Sequence, residues 1–342
     1  MSGLRIIAAG PGTTVQDGGR HGYLRIGITA SGPMDPLAHA TANLAVGAKA
    51  EATAIEVGLG GLTVAAEGGP VTLAVAGAPF IALVDGQKLE TPLALTLEAG
   101  RELSLRAGAS GAWCYLAVAG GLVVKPVLGS TATHTRAAIG GLDGGPLKAG
   151  DLIPVAAAGA LAPTAPARLV APWLDRPADV IRVVLGPQDD YFSADQIAAF
   201  LGRDWTLSPR SDRMGYLLEG EPLRHRNGFD VVSDGIAHGA IQVPGEGRPI
   251  VLMADRQPTG GYPKIANVIG ADLGAFAQLR PGARFRFAAV TIADAVAARR
   301  AQAEALAHPI ARVPLVRTHL PSDFLLGLNL VGGVVDAFAG SD

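Results

Sequence analysis

Apolar residues recur along this chain in short runs broken by glycine-containing turns. Leu62-Thr-Val-Ala, Val71-Thr-Leu-Ala-Val, Phe80-Ile-Ala-Leu-Val, Leu93-Ala-Leu-Thr-Leu and Glu102-Leu-Ser-Leu-Arg are examples. Short apolar or alternating runs bounded by turn residues read as strands. Trp113-Cys-Tyr-Leu-Ala-Val118 and Pro249-Ile-Val-Leu-Met253 add two that read as buried. This density predicts a mainly β protein, a sandwich or barrel rather than a βαβ array.

One turn recurs. Leu97-Glu-Ala-Gly100, Leu147-Lys-Ala-Gly150 and Leu279-Arg-Pro-Gly282 each precede a strand-like stretch. Glycine takes a positive φ there at little cost, so these read as ordinary strand punctuation.

Helices are fewer. Asp35-Pro36 supplies an N-cap and a first-turn proline for a helix over 37–46. Ser193-Ala-Asp-Gln196 reads as a capping box before a helix closed by Gly202, and 271–279 as a third helix stopped by Pro281-Gly282. A fourth, amphipathic helix is predicted from Thr291 to about His308. The Ala- and Pro-rich stretch 156–172 reads as a linker between two halves. Arg20-His-Gly-Tyr-Leu24 and Arg213-Met-Gly-Tyr-Leu217 share a pattern, which raises the expectation of two copies of one β-rich fold.

Composition narrows the function. With 342 residues, 49% hydrophobic and 17% charged, the chain can bury large cores. A net charge of -2 and 5% aromatics argue against nucleic acid as a partner. The single cysteine, Cys114, excludes an intramolecular disulfide and reads as a small buried hydrophobe. The seven histidines are dispersed without a His-x-x-x-His pair, so no metal site is expected. The N-terminus does not resemble a signal peptide, and 324–340 is too polar for a membrane span. A soluble cytoplasmic protein is the expectation.

Three polar islands break the apolar pattern: 12–23 with 31–35, 208–216, and 254–266. Each joins Arg, Asp and Gly. Arginine offers a planar fork for carboxylate or phosphate, and glycine allows close approach to the backbone. Asp–Arg pairs also brace turns, but three such islands favour a site for a small polar, anionic or amide-containing molecule. His21 lies within an island and reads as a solvent-facing turn residue, with an acid–base role as the alternative. Phosphate-loop, nucleophile-elbow and biotin-carrier signatures are absent.

Longer motifs carry a resemblance. Thr13-Thr-Val-Gln-Asp-Gly-Gly-Arg-His-Gly-Tyr23, Gly32-Pro-Met-Asp35 and Ala42-Asn-Leu-Ala-Val-Gly47 resemble the N-terminal half of the KipA-like family. Its members are called biotin-dependent carboxyltransferase proteins, allophanate hydrolase subunit 2, or the C component of 5-oxoprolinase. Ser211-Asp-Arg-Met-Gly-Tyr216, Gly239-Ala-Ile-Gln-Val-Pro244, Asp255-Arg-Gln-Pro-Thr-Gly-Gly-Tyr-Pro-Lys-Ile-Ala266 and Asn329-Leu-Val-Gly-Gly-Val-Val-Asp-Ala337 resemble family hallmarks in the same order. Gly18-Gly19 departs mildly, since members often carry a larger residue first.

The resemblance implies two cyclophilin-like β-barrel domains with a few short helices, at 1–165 and 166–342. It implies one subunit of an enzyme: the C component of an ATP-dependent 5-oxoprolinase, which opens 5-oxoproline to L-glutamate with an A component and a KipI-like B component. One alternative is the carboxyltransferase component of a biotin-dependent carboxylase acting on urea or a related amide, with biotin on a separate carrier. Another is a regulatory partner of a KipI-like protein. No cofactor is expected to be bound covalently. Catalytic candidates are Asp255, Arg256 and Lys264. Substrate-binding candidates are Asp212, Arg213, Gln242, Gln257, Thr259, Gly260, Gly261 and Tyr262. Gln16, Asp17, Arg20 and Asp35 are expected to form a second site or a partner contact.

Overall fold

The computed structural model describes residues 2–157 and 165–315. The motif at 329–337, the apolar tail and the middle of the expected linker lie outside them. The described chain is mainly β, with four α-helices.

The first half packs two antiparallel sheets. One has six strands, in the order Leu152–Pro154, Gly3–Ala9, Leu62–Glu67, Glu102–Arg106, Ile81–Val84, Gln87–Glu90. The other runs Thr14–Gln16, Ala54–Val57, Cys114–Val118, Val71–Gly77, Leu93–Leu97 and then takes Ala167–Val170 and Ala311–Pro314 from later in the chain. The expected linker therefore contains a strand. Its alternating buried positions, Ala167 and Leu169, let it pair with Leu93–Leu97.

Strand period explains how the larger sheet is buried on both faces. Cys114, Leu116 and Val118, with Leu73 and Val75, join the core between the two sheets. Tyr115, Ala117, Ala74 and Ala76 point the other way, into a core shared with the second half. The small alanine face admits helix α1 (Pro36–Ala45), which presents Ala38, Ala42 and Ala45. Asp35 caps α1, accepting from Ala38 N at 3.2 Å, with Pro36 in its first turn.

The second half closes into a seven-stranded barrel. Its order is Val180–Leu185, Lys264–Val268, Ala240–Gln242, Ile250–Leu252, Gly215–Glu219, Trp205–Leu207, Arg284–Ala289. A parallel pairing of Val180 with Arg286 completes the circuit. The two Arg-x-Gly-Tyr-Leu copies differ locally: one leads into the 3-10 turn Leu24–Ile26, the other into the strand Gly215–Glu219.

Gly100, Gly150 and Gly282 all hold positive φ, near 78°, 93° and 84°. Three helix details depart from expectation. In α2 (Ala194–Gly202), Ser193 accepts from Gln196 N, but the Gln196 side chain turns to accept from Arg224 N, leaving the box half formed. Helix α3 is shorter, Leu273–Ala277, and wholly buried. Helix α4 (Ile292–Ala307) has its full Thr291/Asp294 capping box but buries no residue. It is not amphipathic, because alanines surround it on all sides; Ile292 is 70% exposed.

Candidate functional site

The polar islands are brought together in two places. The first is a buried charge cluster between the halves. The strand pair Gly215–Glu219 and Ile250–Leu252 places Arg213 beside Asp255, and Asp255 N donates to Arg213 O at 2.8 Å. The guanidinium grips the Asp255 carboxylate with two bonds of 2.9 Å. From the first half, Glu56 accepts from its other terminal nitrogen, and Gly32 O accepts at 2.8 Å. Ser31 Oγ lies 2.6 Å from Asp255 Oδ1. Tyr115 donates to Glu56 at 2.7 Å, and Met34 N donates to the same oxygen at 2.8 Å.

One cation here faces two carboxylates with almost no solvent. Arg213 is 7% exposed and Glu56 fully buried. Burial pushes Glu56 above the usual carboxylate range, against the pull of Arg213. Burial would also raise Asp255, but Arg213 and Ser31 outweigh it and hold Asp255 low. The cluster therefore holds Asp255 low, while Glu56 is raised by burial although Arg213, Tyr115 and Met34 N all donate to it.

The second place is one end of the barrel. Lys264 begins a barrel strand and is only 2% exposed, yet its ammonium has one carboxylate contact, Asp234 Oδ2 at 3.4 Å. Gln242, on the neighbouring strand, has a buried Nε2 with no partner among the described residues. Its Oε1 lies 3.4 Å from Gln257 Nε2. A short ribbon pairs Asp234 with Gly260 and Gly235 with Thr259. A Cβ on Gly260 would sit 2.5 Å from Gln242 Nε2 and so displace that amide. Val231 N donates to Gly261 O at 2.9 Å, and Tyr262, just past the ribbon, is 40% exposed. A buried donor without an acceptor is costly unless something completes it, and the Gln242 amide together with the remaining hydrogens of the Lys264 ammonium suits a carbonyl or carboxylate oxygen.

Arg256 lies between the two places. Its Nε donates to Ile236 O at 3.0 Å, and its own carbonyl accepts from Thr29 at 3.1 Å. Asp212 accepts from Met214 N at 2.7 Å and Gly215 N at 3.2 Å, shaping the turn that carries Arg213.

The N-terminal island holds a loop. Arg20, 1% exposed, donates to the carbonyls of Val127, Ser130 and Ala132. Asp17 accepts from Ser130 Oγ and Thr131 N. Gln16 Nε2 donates to Thr133 O, whose carbonyl also receives Ser31 Oγ. Asp35 is buried against Arg176 at 2.5 Å and Gln278 at 2.9 Å. His21 is exposed.

Sequence reasoning placed Ser31 in a polar island without a role and missed Glu56, Tyr115, His134 and His238. His134 meets Thr29 Oγ1 at 2.9 Å. His238 is driven down to about 3, by burial first and then by Arg256 and Arg213, and its Nε2 has no partner among the described residues. The lone acid in the apolar run Ala54-Ile-Glu-Val57 was the one available signal. Among the described residues no group of His, Cys, Asp or Glu is placed to hold a metal ion.

A family model for the carboxyltransferase domain, subdomain A and B, matches residues 26–289. The chain belongs to this family. The carboxyltransferase match takes in both the charge cluster and the barrel-end site, and begins after Gln16, Asp17 and Arg20. The chain is 41% identical to the C component of 5-oxoprolinase from Escherichia coli (strain K12) over 299 residues, 87% of this chain and 95% of that one. It is 30% identical to urea amidolyase of Saccharomyces cerevisiae over 83% of this chain but 16% of the relative. A crystal structure of the K. lactis urea amidolyase superposes with a TM-score of 0.82 at 26% identity, over 89% of this chain and 20% of that chain.

Proposed function

We propose that this chain is the C component of a heteromeric, ATP-dependent 5-oxoprolinase, a cytoplasmic enzyme that opens 5-oxoproline to L-glutamate with an A component and a KipI-like B component. The observation that carries this reading is extent. The bacterial protein matches along most of both chains, 87% of one against 95% of the other, whereas the urea amidolyase match covers 16% of its relative.

The barrel-end geometry supports it. A lactam carbonyl is poorly reactive until charge developing on its oxygen is stabilised. Lys264 and Gln242 offer two buried donors with spare capacity, and Gln257, Thr259, Gly260, Gly261 and Tyr262 surround them. Arg256 orients the loop. Asp255 and Arg213, with Asp212 shaping the turn, hold that loop against the first half. Gln16, Asp17, Arg20 and Asp35 brace the first half's side of the junction. The domain family itself favours the second reading, transfer of a carboxyl group to urea or a related amide, with biotin arriving on a separate carrier; the same two donors suit a urea carbonyl.

The test is ATP-dependent glutamate formation from 5-oxoproline by this chain with its matching A and B components, each left out in turn. Activity should vanish without this chain. A well-folded complex that makes no glutamate, but carboxylates urea with a biotinylated carrier, would replace the first reading with the second.

A further inference from the structure

One opening in the described molecule is not used by the proposed lactam site. It is a cleft of about 810 Å³ between the two halves, within the range of roughly 300–1,000 Å³ typical of small-molecule sites. The first half supplies Pro11, Leu59 and Trp113, and the second supplies Met214, Leu279 and Pro281. Its walls are therefore largely apolar.

Trp113 is fixed before any ligand arrives. Its indole N–H donates to Tyr216 Oη at 3.1 Å, and that hydroxyl donates to Ala277 O at 2.8 Å. Two glycines keep side chains off the ring. A Cβ on Gly12 would lie 3.5 Å from its outer edge, and one on Gly58 would lie 3.3 Å from it. A rigid aromatic wall of this kind binds at little entropic cost.

The cleft also holds an unengaged cation. Arg136 is exposed, and its side chain meets Met214 Sδ at 3.5 Å. None of the ion pairs among the described residues includes it. Arg213, at the floor, is already occupied by Asp255 and Glu56. Asp212 and Asp255 line the same cleft, so a polyanion would meet more repulsion there than a single carboxylate.

We propose that this cleft binds an apolar monocarboxylate, with its body against Trp113 and Met214 and its carboxylate on Arg136. The site is separate from Lys264 and does not depend on the 5-oxoprolinase reading.

The test titrates 3-phenylpropanoate and its uncharged amide, 3-phenylpropanamide, into the full-length chain, followed by calorimetry and tryptophan fluorescence. The acid should bind about fivefold more tightly than the amide, the scale of one partly exposed ion pair. Arg136→Ala should erase that preference and Arg136→Glu should reverse it. Gly58→Leu should weaken both probes by covering the indole edge. Lys264→Met should leave both unchanged, which separates this cleft from the lactam site. Equal binding of acid and amide, no saturation by either, or loss of binding in Lys264→Met would overturn the proposal.

Discussion

Arg213 and Glu56 lie 157 positions apart in the chain and form an ion pair at the buried junction of its halves. Because Asp255 shares the same guanidinium, the pair is unequal: the cation has two acids to satisfy, and burial raises Glu56 while Arg213 and Ser31 hold Asp255 low.

That inequality predicts asymmetric mutants. Arg213→Met leaves two buried carboxyls without a cation and should cost about 3–5 kcal/mol in urea unfolding. Glu56→Gln removes one of the two acids but sets an amide N–H among groups that all donate to Glu56, and should cost about 1–3 kcal/mol. Equal losses would contradict this ranking of the cation over either acid.

Lys264 should separate chemistry from stability. Lys264→Met removes a nearly buried charge with one distant partner. Glutamate formation by the reconstituted complex should fall by about 100-fold or more, while the melting temperature holds or rises. A variant that melts normally and works normally removes Lys264 from the site.

Gln278 predicts a loss of a different kind. Its Oε1 accepts from Ala112 N and Trp113 N, both at 2.9 Å, while its Nε2 donates to Asp35 Oδ2 and Trp113 O. Gln278→Glu keeps the shape but sets a carboxylate against Asp35. It should destabilise the chain by about 2–4 kcal/mol at neutral pH and recover part of that in mild acid. A pH-independent loss would point to packing instead.

His39 sets an acid limit. It is buried in α1, where Asn43 Nδ2 lies 3.3 Å from its Nε2, and burial lowers it to about 4 from 6.5. The folded state holds it neutral while the unfolded chain protonates freely. Its contribution is complete above about pH 6.5 and is lost as pH falls toward 4, to a total of about 3 kcal/mol. His238, lowered further, acts in the same direction. Melting curves between neutral pH and pH 4 should flatten in His39→Gln; an unchanged slope would assign the acid sensitivity elsewhere.

Local chemistry was legible in the sequence and partnership was not. Asp35-Pro36 announces α1, and Gly100, Gly150 and Gly282 announce their turns, because each effect lies within a few residues. The loop 255–264 stood out by polarity, yet its division between the inter-half cluster and the barrel end depends on strand order. Glu56 looked like one polar position in a strand, since nothing local names Arg213 as its partner. Helix α4 had the right caps, but alanine marks no face, so its exposure could not be read. The strand Ala167–Val170 hid in a linker-like composition because its partners, Leu93–Leu97 and Ala311–Pro314, come from either side in the chain.

That last pairing has a consequence for synthesis on the ribosome. Ala167–Val170 emerges soon after the sheet it joins, but its outer neighbour, Ala311–Pro314, follows only after the barrel has been made. The gap is about 140 residues, or on the order of ten seconds of translation. Throughout that interval the nascent sheet offers a row of open backbone donors and acceptors, the kind of edge that invites pairing with another chain. The newborn polypeptide thus carries Ala167–Val170 as an open sheet edge for as long as the barrel is being made.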